Sequence, residues 1–147
     1  MPTAAKLFAA IAFAVMAWFA SQAVVPLFPE GTDLGKFAYV NATIGALSGW
    51  LVMGRLAGAG YGAAVTSGLR TTAVFLFYAL LVHSIVKMLD QAVRMRYSDT
   101  MEALAGVFEL VGIYGMMVFT APQVMGILLI GGVLAAWTSE FAAQRWN

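Results

Sequence analysis

Charged residues and cysteine are what this sequence most lacks. Only 10% of its 147 residues are charged and none is a cysteine, whereas 62% are hydrophobic. A soluble domain of average composition carries about 25% charged residues, so the charges here are too few to solvate a water-soluble globule. Disordered chains are polar and highly charged, and are excluded for the same reason. The absence of cysteine excludes disulfide scaffolds, thiol redox motifs and thiolate metal sites.

The residues and motifs of most enzyme classes are also missing. A single histidine is too few for paired haem ligands or a zinc site without thiolates. No metalloprotease, serine-hydrolase, phosphate-loop or dinucleotide-binding motif occurs. The net charge of +1 provides no basic patch for nucleic acid. We therefore expect no enzymatic activity, no cofactor, no metal and no nucleic-acid partner.

The sequence does contain long uncharged apolar runs. A helix needs about 20 apolar residues to cross ~30 Å of hydrocarbon, and backbone groups in lipid must be hydrogen-bonded internally. The runs predict an all-α integral membrane protein, with residues 1–147 forming a single helical bundle in contact with the lipid bilayer. The predicted spans are about 5–25, 37–54, 69–87, 103–119 and 122–139.

Two of these segments leave alternatives open. The first also resembles a signal peptide, because Lys6 precedes its apolar core and small residues end it, although we expect a retained helix. The last apolar run would measure ~54 Å as one helix, and Pro122, which is tolerated only in a first helical turn, predicts a break. Its first half contains Glu109 and either crosses the bilayer or lies tilted or re-entrant, so the count is five spans or four. The positive-inside rule favours a cytoplasmic C-terminus for five spans and decides nothing for four.

Small residues predict where the helices approach each other closely. Gly45 and Gly49 have the GxxxG spacing that packs membrane helices. We expect these two glycines to pack within the bundle rather than in an oligomer, because the helices of one chain fill the grooves that small residues leave before another chain can reach them. Gly106 and Gly112 lie three residues to either side of Glu109 and are expected to admit a neighbouring backbone that shields its carboxylate.

His83 and Glu109 are the leading functional candidates, because an ionisable group inside a membrane costs ~2.5–3.5 kcal/mol. If the third and fourth segments form an antiparallel hairpin centred near Met95, His83 lies within one turn of Glu109, and Lys87 lies opposite Glu102. We predict both contacts. A His–Glu pair can relay protons or gate a motion, but a static hydrogen bond that fixes the packing is the simpler interpretation.

Three arginines lie near predicted membrane boundaries. Arg70, Arg94 and Arg96 are expected to contact lipid headgroups. Arg70 is followed by Thr71 and Thr72, and an arginine flanked by hydroxyls is alternatively suited to oxyanion binding.

Several stretches match a family pattern over nearly the whole chain. They include the opening MPTAAKL, the loop PLFPEGTD at 26–33, GYGAA at 60–64 and FE at 108–109. In these the chain resembles the TrgA family, small bacterial membrane proteins named for tellurium (tellurite) resistance, and the PLFPEGTD loop is the most specific part. The resemblance implies a multi-pass protein of the bacterial inner membrane that is linked to tellurite tolerance, and it implies no catalytic residues.

The residues restrict how such a role can work. Tellurite is a doubly charged oxyanion, and a chain without cysteine cannot reduce it by thiol chemistry. A carboxylate such as Glu109 in a transport path would repel the anion unless protonated. These points favour an indirect, non-catalytic role through the envelope or a partner. The alternative is an accessory subunit whose glycine-notched helices pack against a larger respiratory or photosynthetic complex, and a homo-oligomer is also open. A proton-coupled transporter is disfavoured because the chain shows no internal repeat.

Overall fold

Five helices make up the bundle. The computed structural model describes residues 4–27, 37–95 and 98–146, and within these ranges there are helices and turns but no strand. All five helices are long and apolar enough to span a membrane, which confirms the predicted all-α membrane architecture. They are α1 (Ala4–Val24), α2 (Phe37–Leu56), α3 (Tyr61–Val93), α4 (Thr100–Phe119) and α5 (Pro122–Trp146).

Local sequence explains most of the helix ends. A 3₁₀ turn containing Pro26 follows α1. At the start of α4, the side chain of Asp99 accepts a 2.7 Å hydrogen bond from the Glu102 amide, and Glu102 in turn accepts a 2.9 Å bond from the amide of Ser98. This reciprocal arrangement is a variant of the capping box, in which Glu102 accepts from the amide of the residue before the N-cap and not from that of the N-cap itself. The predicted break lies between Phe119 and Pro122, where proline takes the first position of α5.

The third helix is the element that differs most from prediction. It was predicted over 69–87 but runs from Tyr61 to Val93, or about 50 Å at 1.5 Å per residue. Arg70 and Lys87, which were used as its boundaries, are both exposed on its surface. A charge on the outer side of a helix does not interrupt the backbone hydrogen bonds, so neither residue ends it.

The first helix is the centre of the bundle and packs between α2 and α5. Gly45 and Gly49 bring α2 against the backbone of α1. A methyl group on Gly45 would lie 2.6 Å from the carbonyl oxygen of Phe13, and a methyl group on Gly49 would overlap the carbonyl oxygen of Ala9. Lipid tails are as apolar as these side chains, so close backbone approach and not hydrophobicity holds the pair together. Both glycines serve packing within one chain.

A second glycine contact joins α3 to α5. A methyl group on Gly68 would lie 2.6 Å from the carbonyl oxygen of Gly132, and one on Gly132 would overlap the hydroxyl of Thr72. That hydroxyl already donates a 2.9 Å hydrogen bond to the carbonyl of Gly68 within α3. This contact places α5 against the N-terminal half of α3, whereas α4 packs on the C-terminal half: a methyl group on Gly115 would lie 3.7 Å from Leu80 Cδ1.

Candidate functional site

A hydrogen-bonded series of buried and half-buried polar side chains links three helices near one end of the bundle. His83 on α3 lies 2.7 Å from the side-chain oxygen of Asn41 on α2. The amide nitrogen of Asn41 donates a 2.8 Å hydrogen bond to the hydroxyl of Ser21 on α1, which donates a 2.7 Å bond to the carbonyl of Ala17. Asn41 and Ser21 are almost completely buried. These polar side chains therefore satisfy one another's hydrogen bonds across α1, α2 and α3.

The direction of these hydrogen bonds determines which ring nitrogen of His83 must carry a hydrogen. Because the amide nitrogen of Asn41 is used as a donor towards Ser21, its oxygen is the acceptor that faces His83. Nε2 of His83 must therefore carry a hydrogen and donate it. The imidazole also packs on the ring of Phe37, with 4.6 Å between the ring centres. Ring packing and hydrogen bond together fix the orientation of this side chain.

The polar chain borders a small internal cavity. Its volume is about 60 Å³, which is room for a few water molecules because one needs roughly 10–15 Å³. Most of the lining is aliphatic or aromatic, and the polar side chains that line it are Ser21, Asn41, His83 and Tyr114. The surface of the cavity is almost entirely apolar, so it offers a water molecule too few hydrogen-bond partners and suits a small apolar group better.

A second polar site lies at the opposite end of the bundle and was not predicted. Glu140 on α5 is 1% exposed. Its carboxylate accepts hydrogen bonds from the backbone amides of Gly58 at 2.7 Å and Gly60 at 3.0 Å, and from the Gln144 side chain at 3.0 Å. Gly58 and Gly60 have φ values of 108° and 106°, a conformation that glycine adopts without strain. The carboxylate thus caps the N-terminus of α3, where the helix dipole favours a negative charge.

The predicted pairing of His83 with Glu109 is wrong. His83 bonds to Asn41 instead, and Glu109 is exposed and has no hydrogen bond or ion pair with any described residue. The cause is the register between α3 and α4. The predicted hairpin would place Leu80 opposite Glu109, but Leu80 lies opposite Gly115, because α3 continues to Val93 and moves the turn further along the chain.

The predicted pairing of Lys87 with Glu102 fails for the same reason. Lys87 lies 3.9 Å from Asp90 on its own helix. Glu102 is held by the amide and hydroxyl of Ser98 in the capping box of α4. Lys87 pairs with Asp90 and Ser98 donates to Glu102, and both partners are close in sequence, so each side chain is satisfied without crossing to the other helix.

The two glycines that flank Glu109 have different surroundings. Gly106 is buried, whereas Gly112 is exposed and a methyl group built on it would meet nothing within 4 Å. The expected packing role therefore does not hold for Gly112. With Gly112 open and no neighbour over Glu109, the shielding expected for this carboxylate is not present among the described residues.

The arginines also differ from expectation. The hydroxyls of Thr71 and Thr72 donate to carbonyls of their own helix and are buried, so they do not join Arg70 in an oxyanion site. Arg70 itself is exposed about 14 Å from the start of α3. Arg94 forms a 3.7 Å ion pair with Asp90 at the end of α3. Arg96 lies outside the described residues, and headgroup contact stays a prediction for all three arginines.

The sequence contains only weak signals for the sites that were missed. Asn41 and Ser21 are polar residues within apolar segments, a pattern that predicts burial against a partner but does not name it. Glu140 resembles a residue of the membrane boundary, because Gln144 and Arg145 follow it closely. Its partners are backbone amides more than 75 positions away, and no spacing rule identifies them.

The hydrogen bond between His83 and Asn41 predicts a measurable coupling. In a cycle of His83→Phe, Asn41→Leu and the double variant, we expect a coupling free energy of about 0.6 kcal/mol, the average for hydrogen bonds between membrane helices, and no more than about 1.7 kcal/mol. Phenylalanine retains an aromatic ring, although a larger one, against Phe37 and removes the hydrogen-bonding nitrogens. Unfolding in mixed micelles measures the three variants against wild type, and additive effects would contradict the bond.

Within residues 4–27, 37–95 and 98–146, no three histidine, cysteine or acidic side chains lie close enough to hold a metal ion. In comparisons with protein-family models, curated proteins and solved structures, no match to this chain was found.

Proposed function

We propose that this chain is a non-catalytic, multi-pass protein of the bacterial inner membrane that contributes indirectly to tolerance of tellurite and related oxyanions. Two observations support the proposal. The sequence resembles the TrgA family over nearly its whole length, and the absence of cysteine removes thiol reduction of tellurite from the chemistry available. The contribution then consists of an effect on the envelope or on a partner protein rather than on the anion itself.

The observation that carries the indirect role is the use of polar groups inside the bundle. Glu140 is bonded to the turn before α3, and the chain from His83 to Ser21 is bonded within itself. An oxyanion with two charges needs cationic groups along its path. In the described part of the chain, Lys6 is half-buried in the first turns of α1 and the other lysine and the arginines lie on the exposed surface: they are Lys87, Arg55, Arg70, Arg94 and Arg145. The interior therefore resembles a structural core and not an anion pathway.

The proposal is tested by separating tolerance from transport. Deleting the gene for this chain is expected to lower the tellurite concentration that stops growth, and the wild-type chain is expected to restore it. Purified protein in proteoliposomes is expected to give no tellurite flux above that of protein-free vesicles. Flux that Arg70→Gln abolishes would make the chain a direct transporter, and unchanged tolerance after deletion would remove the stress role.

A second candidate, an accessory subunit of a larger membrane complex, is favoured by Arg70. This side chain is exposed well inside α3 and pairs with no described residue. An unpaired charge at that depth in lipid is costly, and an acidic side chain on a neighbouring protein would offset the cost. Such a partner, for example in a respiratory or photosynthetic complex, would cover this face of α3.

Purification in mild detergent distinguishes the two candidates. An independent protein is expected to elute alone or as a homo-oligomer, and a subunit is expected to elute with a larger complex. If a complex is found, Arg70→Gln is expected to release the chain from it, whereas Arg55→Gln, which alters an exposed arginine at the end of α2, is expected to leave it bound. Release by both variants or by neither would contradict the role of Arg70.

A further inference from the structure

We infer that only four of the five helices cross the bilayer, and that the C-terminal part of α3 and all but the last turns of α4 form a helical hairpin in the interfacial layer at one membrane face. This arrangement follows from the contacts between helices, and it is independent of the proposed function. It also places the start of α1 and the end of α5 on the same side of the membrane.

The first evidence is that both ends of the described chain lie at the same end of the bundle. The hydroxyl of Ser139 on α5 donates a 3.1 Å hydrogen bond to the carbonyl of Ala5 in the first turns of α1. The rings of Phe8 and Trp146 stack with 5.4 Å between their centres. A chain that starts and finishes at the same face of a membrane crosses it an even number of times.

The second evidence is that α5 and α4 pack against successive parts of α3, with α5 on its N-terminal part and α4 on its C-terminal part. The start of α3 is level with Glu140 near the end of α5, and its position 68 is level with Gly132. Leu80, further along α3, is level with Gly115 near the end of α4. At about 50 Å, α3 is much longer than the ~30 Å of hydrocarbon. The N-terminal part of α3, which packs against α5, crosses this layer. Most of the C-terminal part of α3, which packs against α4, extends beyond it.

The third evidence is the level at which the hydrocarbon ends. His83 contacts Phe37 and Asn41 in the first turns of α2, so it lies where α2 begins. The last turn of α1, which ends at Val24, lies at the same level, because Ser21 bonds to Asn41. Two membrane-spanning helices therefore end here, and this level marks the edge of the hydrocarbon. From His83, α3 continues for about 15 Å to Val93.

The surface of the hairpin fits an interfacial layer. It exposes large apolar side chains, including Val93 at 83%, Met101 at 70% and Phe108 at 70%. Charged side chains lie among them on the exposed surface: they are Lys87, Asp90, Arg94, Glu102 and Glu109. This mixture is too charged for the hydrocarbon core and too apolar for water, and the boundary between headgroups and acyl chains accommodates both.

The inference also accounts for the unpaired carboxylate of Glu109. The helices α3 and α4 are antiparallel, and Leu80 lies beside Gly115. Glu109 precedes Gly115 by six residues, so it is level with Val86, which follows Leu80 by six residues. That position lies beyond His83 and beside Lys87, outside the hydrocarbon layer. A carboxylate there is hydrated by the headgroup region and needs no buried partner.

The absence of cysteine makes the wild-type chain a ready background for testing the topology. Arg55→Cys, Ser98→Cys and Arg145→Cys are labelled in sealed proteoliposomes of known orientation with a membrane-impermeant maleimide. We expect Arg55→Cys and Arg145→Cys to label from one side and Ser98→Cys from the other. Labelling of Arg145→Cys from the side of Ser98→Cys would mean five crossings and would overturn the inference.

A depth measurement tests the interfacial position directly. A fluorophore on Phe108→Cys is compared with one on Ile130→Cys, whose parent side chain is 65% exposed on α5, in vesicles that carry nitroxide quenchers on headgroups or deep in the acyl chains. We expect headgroup quenchers to act more strongly on position 108 and deep quenchers on position 130. Stronger deep quenching at position 108, or no quenching there by either lipid, would overturn the interfacial placement.

Discussion

Replacing Gly49 by alanine is expected to destabilise the bundle by about 1–3 kcal/mol or more, the range for an overpacked core. The added methyl group would overlap the carbonyl oxygen of Ala9 on α1. Because the obstacle is helix backbone and not the flexible end of a side chain, α1 and α2 would have to separate. Thermal unfolding in detergent, followed by the loss of the monodisperse peak in size-exclusion chromatography, measures the effect.

Gly112 and Gly126 provide matched controls for this variant. A methyl group on either glycine would meet nothing within 4 Å, so Gly112→Ala and Gly126→Ala are expected to leave the melting temperature unchanged or slightly raised, because alanine favours helix over glycine. Equal destabilisation by all three substitutions would show that helix–helix contact is not the cause. A stable Gly49→Ala variant would contradict the close approach of α1 and α2.

Removing the carboxylate of Glu140 by Glu140→Ala is expected to cost about 2–4 kcal/mol. The substitution removes the acceptor of the Gly58 and Gly60 amides, two part-buried hydrogen bonds to a charged group. Each such bond contributes about 1.5–3 kcal/mol, and water that reaches the exposed Gly58 offsets part of the loss. It also removes the negative charge from the N-terminus of α3. The turn that joins α2 to α3 would then lose its attachment to α5, and the same thermal assay measures the result.

Two further variants separate hydrogen bonding from charge. Glu140→Gln retains one carbonyl acceptor and is expected to lose less stability than Glu140→Ala. Glu109→Gln removes an exposed carboxylate that has no partner among the described residues, and it is expected to have almost no effect. If Glu109→Gln destabilised the protein as much as Glu140→Ala, the assignment of Glu140 as the structural carboxylate would be wrong.

The comparison of Glu109 with Glu140 shows what sequence reasoning could recognise. Both are single acids in or beside apolar runs. The position of Glu109 inside a predicted span, between Gly106 and Gly112, predicted that Glu109 was the shielded one. The structure shows the reverse, with Glu140 1% exposed and Glu109 on the surface. Burial depends on which helix covers a given level of its neighbour, and that is decided by how far α3 extends and not by local composition.

The glycines show the same division. The spacing of Gly45 and Gly49 was sufficient to predict close packing of α2, because a small-residue notch on a membrane helix has few other uses. Gly112 has comparable local features but faces open space. A notch predicts contact only when another helix lies opposite, and α4 is covered mainly on the side that faces α3.

By itself the sequence determined that lipid is the solvent of this protein, that five apolar helices form, and that one of them begins at Pro122. These properties follow from local composition, from the length that a helix needs to span hydrocarbon and from the restricted backbone of proline. Only the tertiary structure decided that His83 bonds to Asn41, that Glu140 caps α3, and that both chain ends meet at one end of the bundle. Those outcomes depend on the register between helices, which is set jointly by glycine contacts and helix lengths far apart in the chain, so no single segment contains the information.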